Sequence, residues 1–254
     1  MPSFSLAGRQ AVVTGASRGI GAALAEGLAE AGADVVLVAR SAADLADTAR
    51  AVERHGRNAL CLSCDVASVA AVGQLADDVA RQGWQPAILI NNAGFERVKP
   101  SADVDEATWD AIVDTNLKGA FFVAQAFARP LLAAGLPGAI VNVCSLTSGV
   151  GIPTAAPYTA SKSGMLGMTR ALSAEWAPRG IRVNGIGPGY FRTAMTEGFY
   201  RDPDWQQAML GKIPMGRFGR LDDLVGAAVF LASDAAAYIT GQLLYVDGGT
   251  MASI

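Results

Sequence analysis

Tyr158 and Lys162 stand four residues apart in the segment APYTASKSG, in a chain of 254 residues that contains one histidine. The surrounding pattern predicts a helix over 157–178, which puts both side chains on one face. A free tyrosine has a pKa of about 10 and exchanges protons poorly at neutral pH. A neighbouring ammonium group stabilises the phenolate and lowers that value. The pair thus offers the general acid–base chemistry that histidine supplies elsewhere. Surface helices carry the same spacing without any chemistry, so the surroundings decide. Ser145 follows the apolar run AIVNVC, thirteen residues before Tyr158. NNAG (91–94) ends another such run, Asn116 sits in the helical stretch DTNLKGAF, and PGYFRT (188–193) follows a sixth run.

Other chemistries find little support. His55 lies in the polar turn ERHGRN and reads as a solvated loop residue, which leaves a Ser-His-Asp hydrolase without a base. Cys61 and Cys64 have Cys-x-x-Cys spacing, but in a strand-like run that points them to opposite faces. With Cys144 they make three thiols, too few for a disulfide framework, and no zinc site is evident. A net charge of −3 and scattered basic residues give no footprint for nucleic acid and no polybasic membrane anchor. No signal peptide and no long apolar span is recognisable, so a cytoplasmic, non-membrane protein is expected.

The elements that must position these residues follow from periodicity. Seven short β-branched or aliphatic runs recur at 11–14, 35–39, 59–64, 87–91, 139–144, 182–186 and 243–247. Most are nearly continuous in apolar character, as in strands covered on both faces. Helical patterns alternate with them at 20–31, 42–54, 68–82, 105–134, 157–178 and 221–233. Strand alternating with helix implies right-handed βαβ units and a parallel sheet. No linker or repeat interrupts the pattern, so one α/β domain over 1–254 is expected. The exception is an insertion at about 194–215, which reads either as a substrate lid or as a surface helix packed by Phe199, Trp205 and Met209.

The first turn, TGASRGIG, sets Gly15, Gly19 and Gly21 between a buried strand and a helix. Such a turn lets backbone N–H groups approach a pyrophosphate at a helix N-terminus, although glycine turns also serve structure alone. The second run ends in Ala39 and Arg40, where NAD-specific folds place a carboxylate. Arg40 and Arg18 suit a 2′-phosphate, so NADP(H) is preferred over NAD(H), which remains possible.

Together these motifs resemble the short-chain dehydrogenase/reductase family over essentially the whole chain, from TGASRGIG to VDGG at 246–249. The resemblance implies a single doubly wound Rossmann-type α/β domain with a seven-stranded parallel sheet. It also implies a catalytic tetrad of Asn116, Ser145, Tyr158 and Lys162. Tyr158 would protonate a carbonyl oxygen while hydride passes between nicotinamide and substrate, its acidity raised further by the oxidised ring. Ser145 would hold that oxygen, Lys162 would bind the nicotinamide ribose, and Asn116 would hold a water in a proton relay. Cofactor contacts are implied for Gly15, Ser17, Arg18, Gly19, Ile20, Gly21, Arg40, Asp65, Val66, Asn92, Ala93 and Gly94. Pro188, Gly189, Phe191 and Thr193 complete that set, with Tyr158 and Lys162.

Within the family the chain resembles gluconate 5-dehydrogenases, in FSLAG, NGIGPGYFRTAMT and the closing LVGAAVFLASDAAAYITGQLLYVDGG. GFERVKP (94–100) is similar to their GIQRR stretch and sets Arg97 where a sugar-acid carboxylate would pair with it. Thr147, Met195 and Phe199 are further candidate substrate contacts. The apolar SLTSGVGIPTAAP segment and the apolar insertion instead favour a less polar ketone. A 3-oxoacyl-ACP reductase is a second reading, with Arg129 present but Ala174 where a second arginine would dock carrier protein. A non-catalytic NADP-binding regulator is a third. The resemblance also implies a homotetramer; Gly164 and Gly167 would let a neighbouring helix approach.

Overall fold

The computed structural model describes residues 3–194 and 196–253. Seven strands, β1 (Gln10–Thr14), β2 (Asp34–Ala39), β3 (Ala59–Ser63), β4 (Ile88–Asn91), β5 (Gly138–Val143), β6 (Ile181–Pro188) and β7 (Leu243–Val246), form one parallel sheet in the order β3-β2-β1-β4-β5-β6-β7. All seven expected runs are strands.

The near-continuous apolar character of the strands has a direct cause. Val36, Val12, Leu89, Ile140 and Val183 lie in one cross-strand row and enter the same core. The next row, Leu37, Val13, Ile90 and Val141, enters the core on the opposite face. Each fully buried aliphatic side chain is worth about 1.5–3 kcal/mol, so neither face tolerates polar alternation.

The core of the Leu37 row, hereafter the first core, is covered by α1 (Gly19–Glu30), α2 (Ala46–Arg54) and α8 (Asp222–Ala232). The second is covered by α3 (Val69–Arg81), α5 (Ala120–Ala134) and α6 (Ala156–Trp176). The long helical pattern at 105–134 is three pieces: α4 (Glu106–Val113), a π-helical turn over Asp114–Gly119, and α5. A π turn accommodates an extra residue in the helix and marks functional sites often.

The insertion carries a short 3₁₀ turn at Phe199–Arg201 and α7 (Pro203–Leu210). Asp202 caps α7, its carboxylate accepting the Asp204 and Trp205 N–H groups. Trp205 is the hub of an aromatic cluster with Tyr190, Phe199, Tyr200 and Phe218, at centroid distances of 5.2–6.1 Å. The aromatic side chains that suggested an apolar pocket are thus largely engaged with one another.

His55 is exposed beyond the end of α2, 3.5 Å from Glu26. Cys61 and Cys64 pack on opposite faces of the sheet, Cys64 buried. Among the described residues no helix is long and apolar enough to cross a membrane.

Candidate active site

Strand order reverses between β1 and β4, and open α/β sheets bind ligands at that point, beyond the carboxyl ends of the strands. Thr14, the last residue of β1, joins the two strand ends. Its hydroxyl accepts the Asn92 and Ala93 N–H groups at 3.0 and 3.1 Å. The Asn92 side chain reaches back, donating to the Thr14 and Gly15 carbonyls at 3.0 and 3.1 Å. Gly21 permits this closeness: a Cβ there would lie 2.2 Å from the Gly15 oxygen and 2.4 Å from Asn92 Nδ2. Thr14 opens TGASRGIG, but its role is not legible there, because its side chain bonds only backbone at the end of β4.

Gly19 opens α1 at φ +58°, and Thr193 stands 3.7 Å from where its Cβ would be. The N-terminus of α1 therefore faces the segment after β6, with Ile20 half-buried behind it against the first core. Beside this turn, a cavity of about 460 Å³ is lined by Ser17, Arg18, Ala39, Arg40, Ala43, Asp44, Ala46 and Asp47. Arg18 and Arg40 are exposed, and among the described residues neither has an ion-pair partner. Two free guanidinium groups and a glycine turn that a Cβ would fill fit an anionic dinucleotide. Asp44 and Asp47 were not anticipated, and Asp47 is engaged by Arg50.

Asp65 and Val66 follow β3 at the same edge, Asp65 exposed and Val66 buried. Pro188 ends β6, and Gly189 packs against Asp247. The Phe191 ring is buried in the first core, which leaves its backbone for any contact with a ligand; its carbonyl accepts the Thr196 hydroxyl. Met195 lies outside the described residues.

A chain of buried polar groups fixes α6. Asn91 Nδ2 donates to the Ala120 carbonyl and to Asn142 Oδ1, Asn142 Nδ2 to Thr169 Oγ1, and Thr169 Oγ1 to the Met165 carbonyl. Such bonds are costly to leave unmade, so they hold the helix in one register on the sheet.

Tyr158 and Lys162 occupy the first turns of α6, with Lys162 Nζ 5.7 Å from the Tyr158 ring centroid. Lys162 is buried and donates to the Val143 carbonyl at 2.7 Å. Gly94 leaves room for it: a Cβ there would lie 3.6 Å from Nζ and 3.1 Å from Asn116 Oδ1. Burial pushes the Lys162 ammonium down to about 8. The Tyr158 phenol lies above its ordinary value, opposite to the direction expected from Lys162 alone. Burial is the main cause; a hydrogen bond with Ser145 pulls it down, and the charges of Glu96 and Cys144 push it up. The sequence shows the ammonium neighbour but not the desolvation that raises the phenol.

Ser145 follows β5 in an extended conformation, and its Oγ also accepts the Thr147 N–H at 3.2 Å. Thr147 itself is 3% exposed, its hydroxyl buried without a protein partner among the described residues. Asn116, in the π turn, is fully buried. Its Oδ1 accepts the Phe95 N–H at 2.9 Å, while Nδ2 donates to the Phe95 carbonyl at 2.9 Å and to Ser161 Oγ at 3.2 Å. Both amide hydrogens are thus taken by protein, leaving one lone pair on Oδ1 for any water. Arg97 is exposed, its guanidinium 5.9 Å from the Phe95 ring centroid, and Phe199 stacks on Trp205.

A hydroxyl pair beside a buried lysine, next to a dinucleotide-shaped turn, defines the class of nicotinamide-dependent oxidoreductases built on a doubly wound sheet. The family model described as Enoyl-(Acyl carrier protein) reductase matches residues 15–251. The chain belongs to the short-chain dehydrogenase/reductase family. It is 42% identical to the gluconate 5-dehydrogenase of Gluconobacter oxydans (strain 621H) over 99% of this chain and 98% of that one. A crystal structure described as a short-chain alcohol dehydrogenase from Sinorhizobium meliloti 1021 is 60% identical, with a TM-score of 0.97 over 100% of both chains. A gluconate 5-dehydrogenase from Burkholderia cenocepacia J2315, solved with NADP and tartrate, is 41% identical, with a TM-score of 0.95 over 99% of this chain and 98% of that one.

Proposed function

We propose that the protein interconverts a secondary alcohol and a ketone with NADP(H), on a sugar acid such as gluconate and 5-ketogluconate. The observation that carries the reaction type is the placement of Ser145 after β5 and of Tyr158 on the first turn of α6, 5.7 Å from the ammonium of buried Lys162. The likeness to gluconate 5-dehydrogenases supports the substrate class, as does the engagement of the insertion's aromatic residues with one another. Bound NADPH supplies the hydride. Tyr158 gives its phenolic proton to the carbonyl oxygen, and its raised pKa keeps that proton in place until the oxygen becomes basic. Ser145 donates a second hydrogen bond to the same oxygen as negative charge develops there. Lys162, held by the Val143 carbonyl, keeps two N–H donors for the nicotinamide ribose. Asn116 acts through the Phe95 backbone and a water on its remaining lone pair.

Arg18, Arg40 and Ser17 take the 2′-phosphate, the α1 N-terminus takes the pyrophosphate, and residues 194–215 form the substrate lid of a single catalytic domain. The same reading makes the protein a cytoplasmic homotetramer. Exposed Tyr238 and Leu244 by the last strand support assembly, as does open space beside Gly167 on α6, whereas Gly164 packs within the chain on Leu117. The test is a 340 nm screen of 5-ketogluconate, gluconate, neutral polyols, acetoacetyl thioesters and apolar ketones with each nicotinamide cofactor. Highest kcat/KM for 5-ketogluconate with NADPH is expected; activity confined to apolar ketones or thioesters would overturn the reading.

A further inference from the structure

Segment 94–99 forms a wall between the π turn and the loop that precedes α6. Its backbone is held at two points: Asn116 brackets both Phe95 backbone groups, and the Lys99 N–H donates to the Thr154 carbonyl at 2.9 Å. Between those points Glu96 is half-buried, and among the described residues its carboxylate makes no hydrogen bond or ion pair. The two neighbouring cations are engaged elsewhere. Lys99 pairs with Asp105 at 2.7 Å, and the Arg97 guanidinium leans on the Phe95 ring at the exposed rim. Glu96 is nevertheless near enough to Tyr158 for its charge to act on the phenol. A half-buried carboxylate without a protein partner is free to accept a ligand's donors, and a segment anchored to Asn116 on one side and to the Thr154 loop before α6 on the other holds it in place.

We propose that Glu96 is a substrate-binding residue whose carboxylate accepts hydrogen bonds from hydroxyl groups next to the reacting carbon, with the substrate's own carboxylate turned outward to Arg97. An ionised carboxylate only accepts hydrogen bonds, so it selects hydroxyl donors. It also repels a second carboxylate brought against it, which places the acid end of the substrate at the rim. The reacting carbonyl therefore lies remote from the acid group. The inference rests on the sugar-acid reading and adds an orientation to it.

The experiment compares wild type, Glu96→Gln and Glu96→Ala on 5-ketogluconate, 2-ketogluconate, a neutral ketohexose and cyclohexanone, with NADPH affinity measured separately. Wild type should reduce 5-ketogluconate in preference to 2-ketogluconate. Glu96→Ala should lower kcat/KM for 5-ketogluconate and the ketohexose by about 10–100-fold, chiefly through KM, as expected for hydrogen bonds to a charged acceptor. Cyclohexanone should change by less than about threefold, since it offers no hydroxyl for a charged acceptor to lose, and NADPH affinity should hold. Glu96→Gln, which keeps the shape and one acceptor, should lose less. Unchanged reduction of 5-ketogluconate in both variants would overturn the role of Glu96 alone. An equal loss on all ketones would assign it to structure, and a preference for 2-ketogluconate would overturn the orientation. A wild type that prefers cyclohexanone to every hydroxylated ketone would overturn the sugar-acid reading itself.

Discussion

The two halves of the cleft are built differently. On the cofactor side, backbone meets backbone: Gly15, Gly21, Thr14 and Asn92 interlock at distances no larger residue would allow. On the substrate side, the walls are loops that touch at few points, and one residue sits in an unfavourable conformation. Thr154, β-branched, holds φ at +67°, a region such residues rarely occupy. A ligand common to many proteins can be read by backbone geometry, which constrains sequence tightly. A ligand particular to one protein is read by side chains on segments free to vary.

The difference can be tested from its strongest consequence downward. Tyr158→Phe removes the proton donor shared by both halves and should lower kcat by about 10²–10⁴-fold, with NADPH affinity nearly unchanged in a fluorescence titration. Normal turnover would remove Tyr158 from the chemistry. Arg40→Asp puts a carboxylate where the 2′-phosphate is expected and should move the NADP/NAD preference toward NAD by about 10–100-fold, the worth of a charge-assisted pair. A constant ratio of the two kcat/KM values would show that Arg40 touches no phosphate.

Gly21→Ala should destabilise the fold by about 1–3 kcal/mol, because its Cβ would strike the Gly15 carbonyl and the Asn92 amide that is hydrogen-bonded to it. Denaturant unfolding measures this, and wild-type stability would mean that the cofactor side is looser than its distances imply. For pH, the sign follows from Lys162, whose ammonium is pushed down to about 8. The charged form is present below that pH and lost above it. kcat/KM for NADPH should therefore be level near neutrality and fall above about pH 8, by about tenfold per unit. A profile level to pH 10 would mean that the lysine's charge contributes nothing. The smallest effect belongs to the substrate side: Thr154→Gly should leave stability within about 1 kcal/mol, relief of strain offsetting the greater entropy lost by glycine. A larger loss would show that Thr154 is a structural anchor.

The same division decides what the sequence revealed. The inner strands β1, β2, β4, β5 and β6 were legible because burial on both faces leaves no room for polar alternation. The half-buried edge strands β3 and β7 were legible because their aliphatic runs keep the alternation with helices. The Ser145, Tyr158 and Lys162 positions were legible because they cluster at strand ends and on one helix face. The π turn was not, since one added residue scarcely alters the apolar pattern across 105–134. Neither was the direction of the Tyr158 shift, which depends on how much solvent the fold removes. Glu96 escaped notice for a related reason: a glutamate in GFERVKP looks like any surface charge until its missing partners can be counted. Asp44 and Asp47, likewise, reach the cavity beside Arg40 only through the path of the chain after β2.

The bond from the Lys99 N–H to the Thr154 carbonyl joins two segments more than fifty residues apart in the chain. A change in the length or slope of one wall is passed through it to the other. Variation in what this enzyme accepts would accordingly be inherited in pairs, and a loop transplanted from a relative without its counterpart would carry the new residues but not the new specificity.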